Sequence, residues 1–163
     1  RIIHAVRKAV GSQFPIIFRF SQWKTGHYDA KLARTPVELE DFLTPLTEAG
    51  VDIFDCSTRR FWEPEFEGSR LNLAGWTKKL TGKPAISVGS VGLNREFTNV
   101  FDGGPEAETA SIEPLVERMQ AGEFDLIAVG RALLADAEWA QKIHHSREKE
   151  IRQFTKEALQ SLS

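Results

Sequence analysis

Gly130 and Arg131 form a pair that could bind an anion. They follow a short apolar run at residues 126–129 and precede the helix-forming residues 132–135. This pattern is typical of a buried strand, a tight turn and the start of a helix. The glycine lets the backbone approach a ligand, the first N–H groups of the helix lack intrahelical partners, and the arginine adds a charge-assisted hydrogen bond. The pattern predicts a phosphate site, although an ordinary turn followed by a solvent-exposed arginine explains it about equally well.

Gly89 and Ser90 form a second turn of this kind, directly after the apolar run 84–88. Glycine and serine just beyond a strand end can present N–H groups to an anion, but this pattern alone has low specificity. Arg19 is a third notable residue because it interrupts the apolar run 15–20 near its C-terminal end. A buried arginine is costly without a partner, so we expect Arg19 to have one.

Four apolar runs of strand length recur along the chain, and each is followed by a helical pattern. They begin near residues 15, 51, 84 and 124, so one unit recurs about every 33 to 40 residues. Each run reads as buried on both faces, which is typical of parallel strands in βα units. Besides an N-terminal helix, helices are expected at 35–49, where Pro45 should kink or break the helix, and at 71–80, 111–120, 137–143 and 147–159.

Two architectures fit four βα units: a doubly wound open sheet and four consecutive units of a (β/α)8 barrel. In a barrel the phosphate site is often made by the loops after the last two strands, which is where both glycine-containing turns lie. A Rossmann sheet would carry its phosphate turn after the first strand, with a Gly-x-Gly-x-x-Gly pattern that residues 20–26 lack. The turns therefore favour an α/β chain that is part of a TIM barrel.

The composition is that of an ordinary globular chain, with 163 residues and a formal net charge of −2. No apolar run approaches the roughly 18 residues of a membrane helix, and the spread of basic residues gives no reason to expect nucleic acid.

The single cysteine, Cys56, excludes an intrachain disulfide and is expected in the core, although its strand-end position could also bring it near a ligand. We expect a cytoplasmic protein. Because Arg1 lies within an amphipathic helical pattern, residues 1–163 are interpreted as a partial single domain.

Four segments together resemble a known family. They are Phe-Arg-Phe-Ser at 18–21, Asp-Ile-Phe-Asp-Cys-Ser at 52–57, Ser-Val-Gly-Ser-Val-Gly at 87–92 and Asp-Leu-Ile-Ala-Val-Gly-Arg-Ala-Leu-Leu-Ala-Asp at 125–136. In this order and spacing they resemble the C-terminal half of Old Yellow Enzyme-type FMN oxidoreductases. The resemblance implies the C-terminal half of an FMN-binding TIM (β/α)8 barrel, in which the four runs are strands five to eight.

The resemblance also implies roles for individual residues. Arg19 would face the pyrimidine edge of the flavin near N1 and the C2 carbonyl, where a fixed cation stabilises the negative charge of the reduced ring. The FMN phosphate would be bound by the two turns, through Gly89, Ser90, Gly130 and Arg131.

The chemistry implied by the resemblance is reduction of FMN by NADH or NADPH, followed by reduction of an activated alkene. The His-His or His-Asn pair and the tyrosine that act on the alkene in this family belong to the N-terminal half, so no catalytic residue is assigned in this chain. From their position, Trp23, Phe61 and Trp62 are expected to line the substrate side of the flavin, although aromatic residues in a long loop such as 57–69 can equally cap a core. The four histidines are expected to have solvated or capping roles, and no metal site is expected.

Some features depart from the family or leave alternatives open. Asp136-Ala137 stands where the family usually has Asp-Pro, which should only weaken the start of the following helix. No cysteine-rich iron-sulfur segment follows Ala137, and this favours a single-barrel ene-reductase. One alternative is a phosphate-ligand barrel enzyme without flavin, which would need acid and base groups at the strand ends where a flavin needs Arg19. The other is a non-catalytic piece that only binds or assembles. A homo-oligomer is possible.

Overall fold

The computed structural model describes residues 1–96 and 104–160. Within these ranges no helix has the length and apolar character needed to cross a bilayer. The strands are β1 (Ile17–Ser21), β2 (Ile53–Ser57), β3 (Ala85–Val88) and β4 (Leu126–Ala128). The helices are α1 (Ile2–Val10), α2 (Pro36–Glu48), α3 (Leu73–Thr81), α4 (Glu113–Gln120), α5 (Arg131–Ala135) and α6 (Trp139–His144), and two 3-10 helices span Glu148–Glu150 and Lys156–Leu159.

All four strands run parallel in the sequential order β1-β2-β3-β4. In a doubly wound sheet the strand order reverses at a switch point, whereas a barrel adds each new strand beside the previous one. The predicted α/β class and partial TIM barrel are therefore confirmed. Parallel pairing places the C-terminal ends of the strands at one edge of the sheet, where the loops that follow them meet.

The two faces of the sheet differ in burial. On one face, Phe54, Cys56 and Ala85 are fully buried, and α3 packs against β2 and β3. On the other face, which we call the uncovered face, Ile17 is 54% exposed and Leu126 is 48% exposed. The expectation that every strand is buried on both faces is wrong for this chain, because the described helices cover only one face. In a complete barrel the uncovered face points into an interior that further strands close.

Local hydrogen bonds fix where α2 and α3 begin. Thr35 caps α2 by accepting a bond from the Glu38 N–H (3.2 Å). Asn72 caps α3 by accepting a bond from the Gly75 N–H (2.9 Å). The helix α2 continues through Pro45, which therefore does not break it.

The C-terminal part differs from the helix expected at residues 147–159. Only the two 3-10 helices form there, and the segment between them is irregular. The Arg152 N–H donates to Asp136 Oδ2 (3.0 Å), and the Lys156 N–H donates to Glu106 Oε1 (3.0 Å). Because side chains elsewhere in the fold accept these backbone bonds, the corresponding bonds of an α-helix do not form.

The irregular insertion expected at residues 94–109 is closed at its base. The Asn94 N–H donates to the Glu108 carbonyl (3.0 Å), and the Glu108 N–H donates to Asn94 Oδ1 (2.9 Å). The turn predicted at residues 102–105 lies partly outside the described residues.

Cys56 tests which face of β2 is buried. Burial raises the pKa of its thiol to about 12, and its Sγ lies 3.4 Å from Thr77 Oγ1 of α3, on the face opposite the uncovered one. We expect the folded protein to resist a thiol reagent at pH 8 and to react fully once it is unfolded in denaturant, as measured by mass spectrometry. Rapid labelling of the folded protein would contradict the described packing.

Candidate functional site

The loops after the four strands surround a cavity of about 650 Å³ at the C-terminal edge of the sheet. Its charge is one-sided. Among the lining residues that the structure describes, none is Asp, Glu or His. The basic lining residues are Arg19, Lys24, Arg59 and Arg131. A concave site of this composition favours an anionic ligand.

Arg19 reaches the cavity from the uncovered face of β1. Its Nε donates to Ser57 Oγ on β2 (2.7 Å) and lies 3.6 Å from Oδ2 of Asp55, its register partner on β2. The Arg19 side chain is 67% exposed, because helices leave this face of the sheet open. Arg19 thus has the expected partner but not the expected burial. The hydrogen bond and the ion pair orient the guanidinium while leaving it accessible from the cavity.

The two glycines predicted at the site differ in the room around them. At Gly89, where φ is 145°, a Cβ would lie 2.5 Å from Thr58 Oγ1 and 2.8 Å from the Thr58 carbonyl oxygen. Only glycine fits there. At Gly130 a Cβ would meet no atom of the described residues within 4 Å, so among them this position faces open space at the cavity wall. The helix α5 that follows has only five residues, so its dipole adds little to anion binding.

Ser90 occupies a left-handed conformation with φ of 53°, which residues other than glycine rarely adopt. Its hydroxyl oxygen lies 2.9 Å from the carbonyl oxygens of both Arg59 and Arg95, and it accepts a bond from Arg131 Nη2 (3.2 Å). The single hydroxyl proton can serve only one of the two carbonyls. Since the hydroxyl already bonds protein groups, the predicted contact of Ser90 with a phosphate would use its backbone N–H.

Arg131 is a buried cation held by neutral acceptors. Its Nη2 donates to the Arg95 carbonyl (2.6 Å) and to the Ser90 hydroxyl, and its Nη1 donates to the Glu96 carbonyl (3.3 Å). These bonds use three of the five N–H donors of a guanidinium. Burial lowers the pKa of Arg131, and the nearby Glu96 carboxylate opposes that shift. Arginine stays protonated even so, and within the described ranges it forms no ion pair.

Two further cations at the cavity were missed by the sequence reasoning. Arg59 pairs with the buried Glu96 carboxylate (Nε to Oε2, 3.1 Å), which Arg60 also contacts (3.0 Å). The guanidinium of Arg59 lies 5.6 Å from the centroid of the Tyr28 ring. Lys24 lines the cavity from the loop after β1. Both follow the C-terminal end of a strand, which was the signal that could have found them.

The three aromatic residues predicted to line the substrate side separate into two groups. Trp23 lines the cavity, and its Nε1 is buried without a hydrogen-bond partner in the described part of the chain. Phe61 and Trp62 do not border the cavity, so the described geometry gives no support to their predicted place on the substrate side. Phe61 is 4% exposed in the core with Trp62 packed against it, because Arg118 of α4 binds the carbonyl oxygens of both residues (3.2 and 3.0 Å).

Sequence comparison identifies related proteins. Residues 1–150 match the family model described as the NADH:flavin oxidoreductase / NADH oxidase family. An NADH oxidase from Thermoanaerobacter brockii is 32% identical over an alignment of 161 residues, which covers 93% of this chain and 21% of that protein. The chain therefore spans about a fifth of the length of this relative.

Structure comparison finds the same fold in several solved proteins. At 17 to 22% identity these likenesses show the fold alone. Histamine dehydrogenase from Rhizobium sp. 4-9 has a TM-score of 0.58 and 22% identity, covering 93% of this chain and 20% of that one. The 6-hydroxypseudooxynicotine amine oxidase from Pseudomonas geniculata N1 has a TM-score of 0.53 and 22% identity, and the match covers 92% of this chain and 20% of that one. A 2-naphthoyl-CoA reductase in complex with 2-naphthoyl-CoA has a TM-score of 0.58 and 17% identity, and the match covers 94% of this chain and 21% of that one.

Gly89→Ala and Gly130→Ala form a matched pair that tests the two turns. The added methyl collides with Thr58 at the first position and meets open space at the second. We expect Gly89→Ala to lower the melting temperature by about 5 °C or more, and Gly130→Ala to change it by less than about 2 °C. Calorimetry of both variants measures this. Equal melting temperatures would contradict the described geometry of the turn after β3.

Proposed function

Since the chain belongs to the NADH:flavin oxidoreductase / NADH oxidase family, we propose that it is the FMN-binding half of an NAD(P)H-dependent oxidoreductase that reduces activated alkenes. The observation that carries this proposal is the one-sided charge of the cavity lining, which among the described residues has four basic side chains and no carboxylate, although Arg19 and Arg59 also pair with the nearby Asp55 and Glu96. FMN suits that charge, because a phosphate monoester carries about −1.5 to −2 at neutral pH.

The lining residues fit the two ends of FMN. Bonds within the described residues leave Arg131 two N–H donors for a phosphate, and Gly130 leaves room there for the phosphate to approach the backbone. Arg19 offers an accessible guanidinium for the polar edge of the ring. Apolar side chains between these groups, among them Val88 and Leu134, suit the rest of the cofactor.

Bound FMN would supply the redox chemistry, taking a hydride from NADH or NADPH and passing it to an alkene conjugated to a carbonyl or similar group. Arg19 would place a positive charge where the reduced ring gains negative charge, and would so favour the reduced state. Ser57 and Asp55 hold the Arg19 guanidinium in place. The groups that polarise and protonate the alkene are expected outside this chain, whose own residues bind and orient the cofactor.

The composition of the cavity argues against a phosphate-ligand enzyme without flavin. Such an enzyme needs acid and base side chains at the strand ends, most often His, Asp or Glu. None of these lines the cavity in the part of the chain that the structure describes. Arg19, in contrast, has a use at the edge of a flavin ring.

We expect the protein that carries this chain to purify with FMN and to show flavin absorbance that bleaches when NADPH or NADH is added without oxygen. Adding an activated alkene should restore the absorbance with one alkene reduced per flavin. Because two of the similar structures are named for amine oxidation, an amine is the control donor. Bleaching by an amine and not by nicotinamide would contradict the proposed reductant, and a protein that neither retains FMN nor oxidises nicotinamide would contradict the flavin proposal.

Arg131→Ala is expected to weaken FMN binding while leaving the protein able to bind riboflavin, which lacks the phosphate. Loss of one charge-assisted contact costs about 1.5–3 kcal/mol, or roughly 10- to 150-fold in Kd. Fluorescence titration of the apoprotein with both flavins measures the two affinities. Arg131→Lys is the control, because it keeps the charge and loses the planar donor geometry. An unchanged FMN affinity in Arg131→Ala would remove this residue from the site.

A further inference from the structure

The segment 147–160, which we call the C-terminal strap, crosses the fold beside the cavity although it forms no long helix. Backbone bonds to other parts of the chain hold it in place. The Arg152 N–H donates to Asp136 Oδ2, and the Lys156 N–H donates to Glu106 Oε1. Near its end, Leu159 is one of the residues that line the cavity. The strap is therefore fixed both to the segment that follows β4 and to the insertion after β3.

The anchor of the strap at Asp136 is buried and highly connected. Asp136 is 1% exposed, and its Oδ2 accepts bonds from Lys142 Nζ (2.7 Å) and from the Arg152 N–H, while its Oδ1 accepts one from the Glu138 N–H (3.1 Å). Burial on its own would raise the pKa of Asp136, but these bonds outweigh it and hold the pKa below its ordinary value. The carboxylate is therefore charged at neutral pH and fixes the start of the strap.

Phe154 is the fully buried residue of the strap. It belongs to a small apolar cluster, separate from the main core, that also contains Leu93, Ala107 and Ala135. Its ring centroid lies 5.6 Å from the guanidinium carbon of Arg131, within the range of a cation–π contact. The ring therefore touches the one side chain that the proposed phosphate site depends on most.

The other contacts of Arg131 are three hydrogen bonds, all to neutral acceptors. They go to two loop carbonyls and to a hydroxyl, and no carboxylate pairs with the guanidinium in the described residues. An arginine that has to be ordered when a ligand binds loses side-chain entropy at that moment, which weakens binding. A ring packed on the guanidinium lowers that cost because it orders the side chain beforehand.

We propose that Phe154 is a positioning residue for Arg131, so that the C-terminal strap is part of the phosphate end of the flavin site. This inference rests on the proposed function. Phe154 acts through Arg131 and does not itself contact the cofactor. If Phe154 had a purely structural role, removing the ring would destabilise the fold and weaken the binding of ligands with and without a phosphate to the same extent.

The test compares FMN with riboflavin in the protein that carries this chain. We expect Phe154→Leu, which keeps an apolar side chain and removes the ring, to raise the Kd for FMN about three- to tenfold and to leave the Kd for riboflavin within about twofold. Phe124→Leu is the matched control, because Phe124 is a core ring with 2% exposure in the main cluster. It should lower stability and leave the ratio of the two affinities unchanged.

A double-mutant comparison separates positioning from general weakening. On an Arg131→Ala background, Phe154→Leu should have no further effect on FMN affinity. If Phe154→Leu does not fold, Phe154→Met replaces it in both arms.

Three results would overturn the proposal: an unchanged FMN affinity in the Phe154 variant, an equal loss for both flavins, or a further loss on the Arg131→Ala background. A wild-type protein that binds FMN no more tightly than riboflavin would instead contradict the phosphate site itself, and with it this inference.

Discussion

The parallel register of the four strands decides where the strand side chains of the candidate site lie and where the loops that carry the others begin. Arg19 pairs with Asp55, which pairs with Ile86, which pairs with Leu126, so these residues form one row across the uncovered face. The loops that contain both turns begin just beyond this row, where the strands end at the C-terminal edge of the sheet. A shift of one residue in any strand would move its side chains to the opposite face. Arg19 would then point into the helices and away from the cavity.

The buried charge and the strained backbone at the site destabilise the folded state, and favourable contacts elsewhere in the fold must offset that cost. Arg131 is desolvated without an ion pair in the described residues, and Ser90 holds a left-handed conformation. The compensation comes from the covered face of the sheet, where Phe54 and its neighbours are fully buried, and from capped helices. A bound anion would neutralise the cations, so ligand binding and stability of this edge are linked.

The parts of this structure that follow from local patterns could be predicted from the sequence. The four strands, their parallel pairing and the place of Gly130 and Arg131 at the strand ends rest on apolar runs, turn residues and the geometry of βα units, whereas the place of Arg19 at the same cavity was implied by the family resemblance. The helix expected at 147–159 failed because Phe154 and the anchor at Asp136 are tertiary contacts that override local helix preference.

Other departures from the sequence-based expectations have the same kind of cause. Phe61 and Trp62 lie in a loop that α4 draws into the core through Arg118, a contact between distant segments that no local pattern encodes. Burial on both faces was inferred from apolar content, which does not distinguish a face that the chain itself covers from one that is left for the rest of a barrel to cover. The roles of the site residues toward FMN stay predictions that the geometry supports.

A crystal structure of the protein grown with FMN tests the central claim most directly. The account predicts density for the phosphate against Gly130 and the guanidinium of Arg131, with the ring edge beside Arg19. Density for FMN elsewhere on the protein, or a phosphate that contacts neither Gly130 nor Arg131, would contradict it.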